Sequence, residues 1–415
     1  MKILFINISD IVGGAAIAAR RLGMGLEKYH NTENFFVVRS KASTDKNVFP
    51  TRESGFVQVA EKWFNIFSNL LGIQYQYLPF SPKVILQKTR EIKPDIISLH
   101  NTLGGYFTTS LIRELSKEAP IVWTLHDMWA FTGNSAHTFG DVSWKEMKNS
   151  RSNTRIYPSI GINTGSMLLR QKKKIYSESD ITVVTPSDWL LSLAKESPVF
   201  AGKELHHIFN GIDLDIFKPR SGEELRKSLN IPPDARVIMF SAEKLNKNPY
   251  KGGRDLIEIL KIINARTEKK VHLLILGIGR LEELELFNNF TVHTTGYVRD
   301  EAEVAEYLSM ADLFVYPTRA DNLSNALIES VASGTPAVTF DVGGCKEIIK
   351  NDVSGCLIGP FNIEKFAGET LRLLTSDEKL KELSHKSRKF AEENFSLKSM
   401  SESYYELFEK KIRRK

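Results

Sequence analysis

Short uninterrupted apolar runs alternate along the chain with longer stretches in which apolar residues recur every three or four positions. Lys2–Ile8 reads as a strand, and the Gly13-Gly14 turn separates it from a helix running from Ala15 to about His30. Phe35–Val38, Ile96–Leu99, Ile121–Leu125 and Ile181–Thr185 predict further strands. A second series runs through Val237–Phe240, Val271–Leu276, Leu313–Tyr316 and Ala337–Phe340. Strands that are apolar along their whole length, with helices between them, belong to parallel sheets covered on both faces. Two such series predict an α/β protein of two doubly wound domains. Ligands of such sheets sit outside the carboxyl ends of the strands, and a two-domain version adds a cleft.

The boundary is expected at Asn210–Pro219, NGIDLDIFKP, where Gly, two Asp and Pro follow the strand-like Leu205–Phe209. A polar helix around Glu223–Leu229 then restarts the pattern. Thr132–Tyr157 fits neither periodicity and reads as a long loop, of the kind usually tied to function. From Lys62, the residues Trp63, Ile66, Phe67, Leu70 and Leu71 share one helical face. In the last helix, from Leu397 to about Lys411, Met400, Tyr404, Leu407 and Phe408 do the same.

With 415 residues, 42% hydrophobic and 26% charged, the chain has the balance of an ordinary globular protein. It lacks an apolar stretch of about 18 residues, which a membrane span needs. MKILFINISD is too short in its apolar run for a signal peptide, so a cytoplasmic setting is expected. Two cysteines, Cys345 and Cys356, exclude a disulfide framework and a cysteine-built zinc site, and both are expected reduced in a core. The net charge is +6, and residues 141–174 alone carry eight basic against two acidic side chains. That local excess equals the total, which argues against a general nucleic-acid-coating surface.

Five segments carry candidate chemistry. The turn Ser9–Ala16 contains Gly13-Gly14 but no G-x-G-x-x-G, so it is either a tight turn or a backbone approaching a ligand. Thr124-Leu125-His126-Asp127 sets a histidine at a strand's carboxyl end, as a core residue or a functional one. Lys244, Lys247 and Lys251 precede Gly252-Gly253 on a turn ahead of a helix, an arrangement suited to a diphosphate or an exposed basic turn. Gly277-Ile278-Gly279 ends another strand. After Leu313–Tyr316, Asn322 can cap a helix that Gly334 ends, with Asp321 at its mouth and Glu329 two turns in. The first-turn amides and the helix dipole would then face an anion.

In this last segment the chain resembles the retaining glycosyltransferases of family 4, whose pattern is an acid, seven residues, a Glu, and then a small-residue stretch ending Gly-Thr-Pro. Gly13-Gly14, Thr124–Asp127, Thr185-Pro186-Ser187, Asn210–Asp213, Phe217-Lys218-Pro219, Lys251-Gly252, Gly296-Tyr297 and Asp341–Gly344 follow the family order over essentially the whole chain. The resemblance implies the GT-B fold, with an acceptor-side domain over 1–212, a donor-binding domain over 213–395 and a last helix, 396–415, that returns to the first domain. It implies that Glu329 binds the donor ribose, that Asp321 contacts only the donor sugar, and that amides around Leu323, Ser324 and Asn325 hold the diphosphate. Lys251 would contact phosphate, with Lys244 as a weaker match. Gly14 would lie against phosphate or acceptor, Gly277 and Tyr297 beside the nucleotide, and His126 in the active site. Asp in place of the usual Glu at 321 shortens the reach by one methylene. Related sequences often carry cysteines in the loop corresponding to Thr132–Ser150; this one has none, which speaks against a structural metal there.

The expected activity is retaining sugar transfer from a nucleotide-diphosphate sugar to a hydroxyl of a glycan or lipid-linked glycan, in bacterial surface polysaccharide assembly. No metal or other cofactor is expected, since Asp213-Leu214-Asp215 has D-x-D spacing but lies in the interdomain segment. A non-catalytic nucleotide-sugar binding protein and a sugar-nucleotide epimerase of the same fold are the alternatives. The face from Trp63 to Leu71, with the basic stretch and the Lys410–Lys415 tail, adds peripheral membrane contact as an expectation, against the alternative that this face packs on the sheet.

Overall fold

The structure, a computed structural model, describes residues 1–150, 154–241, 250–277 and 287–414. It divides into two compact units, Met1–Gly211 with Leu397–Lys415, and Ile212–Ser396.

The first unit is built on a seven-stranded parallel sheet of β1 (Lys2–Ser9), β2 (Glu33–Ser40), β3 (Val48–Pro50), β4 (Ile96–Leu99), β5 (Ile121–Thr124), β6 (Ile181–Thr185) and β7 (Glu204–His207). The order is β3-β2-β1-β4-β5-β6-β7, so the chain reverses direction across the sheet between β1 and β4. Helices α1 (Gly14–His30), α2 (Gly55–Leu70), α3 (Ser81–Ile92), α4 (Leu111–Glu118), α5 (Gly165–Ser177) and α6 (Asp188–Lys195) connect the strands. Both faces of β1 are buried, with Leu4 and Ile6 in one apolar cluster and Ile3 and Phe5 in the other. That is why its apolar run is continuous rather than alternating.

The second unit has six parallel strands: β8 (Arg236–Ser241), β9 (Val271–Leu276), β10 (Phe290–Gly296), β11 (Leu313–Tyr316), β12 (Ala337–Phe340) and β13 (Gly355–Ile358). Their order is β10-β9-β8-β11-β12-β13, with the reversal between β8 and β11. Its helices are α7 (Glu223–Ser228), α8 (Gly253–Arg266), α9 (Glu301–Met310), α10 (Asn325–Ala332), α11 (Cys345–Ile348), α12 (Ile363–Leu374) and α13 (Asp377–Asn394).

The final helix, α14 (Leu397–Arg413), packs on α1 and completes the first unit. Met400, Tyr404, Leu407 and Phe408 cover Ile3, Phe5, Val122 and Val184. Gly25 of α1 leaves room for this approach, since a Cβ there would stand 2.9 Å from the Ser401 hydroxyl. The buried Tyr404 hydroxyl bonds Thr124 Oγ1 on β5 at 2.8 Å.

Residues 132–150 are irregular apart from a 3-10 turn at Ser143–Glu146, yet they are packed. Trp144 lies edge-on against Phe131. Lys172, one of the eight basic residues of 141–174, turns inward: its Nζ donates to the carbonyls of Trp129 (2.6 Å) and Thr132 (2.9 Å) and lies 3.7 Å from the Trp129 ring centre.

Two substitutions measure what α14 contributes. Tyr404→Phe leaves Thr124 without its partner and costs about 1 kcal/mol. Phe408→Ala empties a fully buried site and costs about 3–5 kcal/mol. Urea denaturation followed by near-UV circular dichroism distinguishes the two, and equal small effects would mean that α14 is only loosely held.

Candidate active site

In each unit the predicted functional residues gather at the carboxyl ends of the strands, around the point where the strand order reverses. In the second unit this point lies between β8 and β11. Lys251 follows β8, Tyr316 ends β11, and Asp321 stands in the loop before α10. Their side chains close a triangle: Lys251 Nζ is 2.7 Å from Asp321 Oδ2 and 2.7 Å from the Tyr316 hydroxyl, which donates to the same Oδ2 at 2.8 Å. Burial works against the Lys251 charge, but Asp321 and Tyr316 outweigh it and hold the ammonium above the ordinary lysine range. Burial, reinforced by the Asp321 charge, pushes the Tyr316 phenol up, so it remains a donor.

Two glycines with left-handed backbones fix this triangle. Gly252 (φ +66) lies so close to the loop after β11 that a Cβ would fall 1.7 Å from the Pro317 carbonyl oxygen. Gly343 (φ +56), after β12, meets the Asp321 carbonyl oxygen in the same way, at 1.7 Å. Beside them Thr318 Oγ1 and the Arg319 amide donate to the Tyr250 carbonyl at 2.9 and 2.7 Å. Arg319 forks onto Asp255 with bonds of 2.6 and 2.7 Å. The Lys-Gly pair is therefore a steric requirement of the loop as well as a source of charge.

Helix α10 starts later than its sequence suggests. Ser324, not Asn322, is its cap, accepting the Leu327 amide through its hydroxyl at 3.3 Å. Asn322 and Leu323 are buried in the preceding turn, and Asn325 is the first helical residue. At the other end Arg388 of α13 donates to the carbonyls of Ala332 (2.9 Å), Phe217 (2.6 Å) and Leu214 (3.2 Å). A cation thus meets the negative end of the helix dipole, and the segment from Asp213 to Pro219 is tied to the same place. Glu329 lies on the second turn of α10, half-buried. Asp321 carries the ion pair with Lys251, a partner that its sequence position does not announce. Gly277 and Gly296 are brought together by a bond from the Gly277 amide to the Gly296 carbonyl (2.9 Å), with Tyr297 partly exposed beside them. Lys244 and Gly279 lie outside the described residues. Asp213 accepts the Asp215 amide at 2.9 Å, so this D-x-D is an Asx turn.

In the first unit, Gly13 (φ +94) precedes the first residue of α1, Gly14. Asn7 ties this turn to the loop after β4, donating to the Ala15 carbonyl at 3.2 Å and accepting the Asn101 amide at 3.3 Å. His126, after β5, bonds His100 after β4 (Nε2 to Nδ1, 3.0 Å), and His100 Nε2 bonds the Ser98 hydroxyl at 3.0 Å. Burial lowers His126 to about 4 and His100 well below the usual histidine range, so this relay is neutral at neutral pH. Burial also raises Asp127 to about 6, against the Trp129 amide and the Lys172 charge. His100 and Tyr316 escaped the sequence reading, although His100 carries the same signal as His126, a histidine just past a strand's carboxyl end.

Comparison with known proteins bears on the fold and on the second unit. Residues 235–376 match the family Glycosyl transferases group 1. Spore coat protein SA of Bacillus subtilis is 26% identical over 258 residues, covering 57% of this chain and 67% of that protein. The MMP alpha-(1->4)-mannosyltransferase of Mycolicibacterium hassiacum is 28% identical over 219 residues, covering 51% of this chain and 50% of the relative. D-inositol 3-phosphate glycosyltransferase of Segniliparus rotundus is matched over 39% of its length. Among solved structures, HepE of Anabaena in complex with UDP-glucose superposes with a TM-score of 0.68 at 17% identity, covering 99% of this chain and 100% of that one. Sucrose-phosphate synthase from Thermosynechococcus elongatus gives 0.70 at 15% identity, with both chains fully covered. Residues 235–376 thus resemble the group 1 glycosyl transferases, and the two doubly wound sheets share the GT-B fold of these solved structures.

Proposed function

We propose that the protein transfers a glycosyl group from a nucleoside-diphosphate sugar to an acceptor hydroxyl with retention at the anomeric carbon, in bacterial surface polysaccharide assembly. The observation that supports this most is the Lys251–Tyr316–Asp321 triangle at the reversal point of the second sheet, just ahead of the first turn of α10. A diphosphate leaving group gains negative charge as its bond to the sugar breaks, and a preorganised ammonium with helix-start amides stabilises that charge. Lys251 and the amides around Ser324 and Asn325 are the donors in this reading. Glu329 takes the ribose hydroxyls, and Tyr297 with Gly277 flanks the base. Asp321 orients the sugar while holding Lys251.

The acceptor oxygen bonds the anomeric carbon on the face from which the phosphate oxygen departs. The acceptor's proton passes to a phosphate oxygen, so no protein base is needed. His126, neutral and anchored by His100, orients the sugar through hydrogen bonding. The acceptor is a glycan or lipid-linked glycan at the cytoplasmic side. Nucleoside-diphosphate release from a panel of nucleotide sugars, with and without acceptors and read by mass spectrometry, tests the reading. Release with none of them would reduce the protein to a binding module, and an inverted anomer in the product would remove the mechanism.

Glu329→Ala weakens nucleoside-diphosphate binding roughly tenfold to a hundredfold, the scale of one charge-assisted hydrogen bond. Asp321→Ala leaves that binding nearly intact, because the bound diphosphate itself supplies the counter-charge for Lys251, but lowers turnover by about a hundredfold, because the sugar loses its position. Calorimetry beside initial rates separates the pair, and the reverse pattern would mean that nucleotide and sugar are misplaced along α10. Turnover persists in excess chelator, whereas a complete loss restored by Mn²⁺ or Mg²⁺ would show that the diphosphate needs a metal.

His126 gains its proton near pH 4 rather than 6.5, which ¹³C-histidine NMR reads directly. The unfolded chain takes up that proton first, so the His126 contribution to stability is complete above 6.5 and is lost as pH falls toward 4. Asp127 works in the opposite sense, because its folded form keeps its proton up to about 6. His126→Asn therefore loses less stability over this range than the wild type.

A further inference from the structure

Helix α2 is built inside out. Its inward side is polar: Glu61 is fully buried and accepts from Arg52 Nε (2.7 Å), the Phe80 amide (3.1 Å), the Ser81 amide (2.6 Å) and the Ser81 hydroxyl. Ser68 is buried on the same side, and Asn65 lies against Gly105. The outward side is apolar. Phe56, Val59, Trp63, Phe67 and Leu70 follow at helical spacing and are 73, 57, 65, 61 and 59% exposed, with Phe64, Ile66 and Leu71 beside them. An apolar stripe of this size on a free surface marks a contact site. The expectation that this face packs on the sheet is overturned, because Glu61 and Ser68 occupy the inner side instead.

The segment that clasps the end of the stripe is basic. The Gly161 and Ile162 amides clasp its end, donating to the carbonyls of Asn69 (2.8 Å) and Leu70 (3.2 Å), and Ile162 is itself exposed. Residues 154–177, which form this clasp and run on into α5, include Arg155, Arg170, Lys173 and Lys174, all exposed, and no acidic residue. On α2 itself, Lys62 is exposed, while its one acid, Glu61, is internal. A second copy meeting this face about a two-fold axis would set these cations against their own images. An anionic lipid surface suits both features, since apolar side chains enter the headgroup boundary while cations stay among the phosphates.

We infer that the outward face of α2 docks the protein on an anionic lipid surface, with Trp63 and Phe67 as the inserted side chains and Arg155, Arg170 and Lys62 as headgroup contacts. This holds whichever sugar is transferred, and vesicle binding is measured without donor or acceptor.

The test sediments the full chain with phosphatidylcholine vesicles containing about 30% phosphatidylglycerol. Trp63 is the exposed one of five tryptophans, so its emission shifts to the blue on binding and is quenched by lipids brominated in the acyl chain. The Trp63→Glu/Phe67→Glu variant binds at least about tenfold more weakly with an unchanged circular dichroism spectrum. Added salt and Arg155→Glu/Arg170→Glu weaken binding to the anionic vesicles. The inference is overturned by absence of sedimentation at low salt, by equal sedimentation of the Trp63→Glu/Phe67→Glu variant, or by a lipid-free dimer that this variant dissociates.

Discussion

The loop between β11 and α10 is gripped from both sides by backbone. Gly252 presses on the Pro317 carbonyl and Gly343 on the Asp321 carbonyl, each closer than any side chain would permit. With those carbonyls fixed, Asp321 can reach only where Lys251 and Tyr316 meet it, and α10 begins where Ser324 can cap it. The charge of Lys251 in turn depends on the grip. A buried ammonium without a counter-ion loses its proton, and Asp321 is held in place by nothing in its own rotamer freedom but by the loop that carries it. The chemistry of the second unit thus rests on two steric contacts that involve no functional group.

The two units apply the same design to different chemistry. Each places its polar residues where the strand order reverses, because there the loops diverge and leave the strand ends uncovered. In the second unit the residues are charged and mutually neutralising. In the first they are neutral imidazoles relayed from Ser98 through His100 to His126, beside an acid that burial keeps partly protonated near neutrality.

What could be read from the sequence follows from burial. The interior strands β1, β4, β5, β6, β8, β9, β11 and β12 are apolar on both faces and were legible almost to the residue. Strands at or near the edges were not. β10 reads FTVHTTG, with side chains half in solvent, and β3 is three residues ending in Pro50, while β7, ELHH, showed only as the strand-like Leu205–Phe209. Within the candidate site, spacing and strand ends pointed to Asp321, Glu329, Lys251 and His126, and the structure joins Lys251 to Asp321, whereas Tyr316, their third partner, looks like any aromatic residue closing a strand. The inward turn of Lys172 and the burial of Asn322 were not legible for one reason: local sequence does not say whether a polar side chain turns toward solvent or into the protein. The stripe on α2 shows the same limit from the other side, because helical periodicity locates an apolar face but not the direction in which it looks.

The position of α14 has a consequence for biogenesis. The helix that seals the face of β1 and β5 is separated from them in sequence by the whole second unit, so a ribosome delivers it only after that unit. Ile3, Phe5, Val122 and Val184 must wait uncovered while some two hundred further residues are made, a window in which chaperones or premature association compete for that surface. The second unit, continuous in the chain, is under no such delay, and vectorial synthesis therefore favours completing the later-encoded unit before the earlier one.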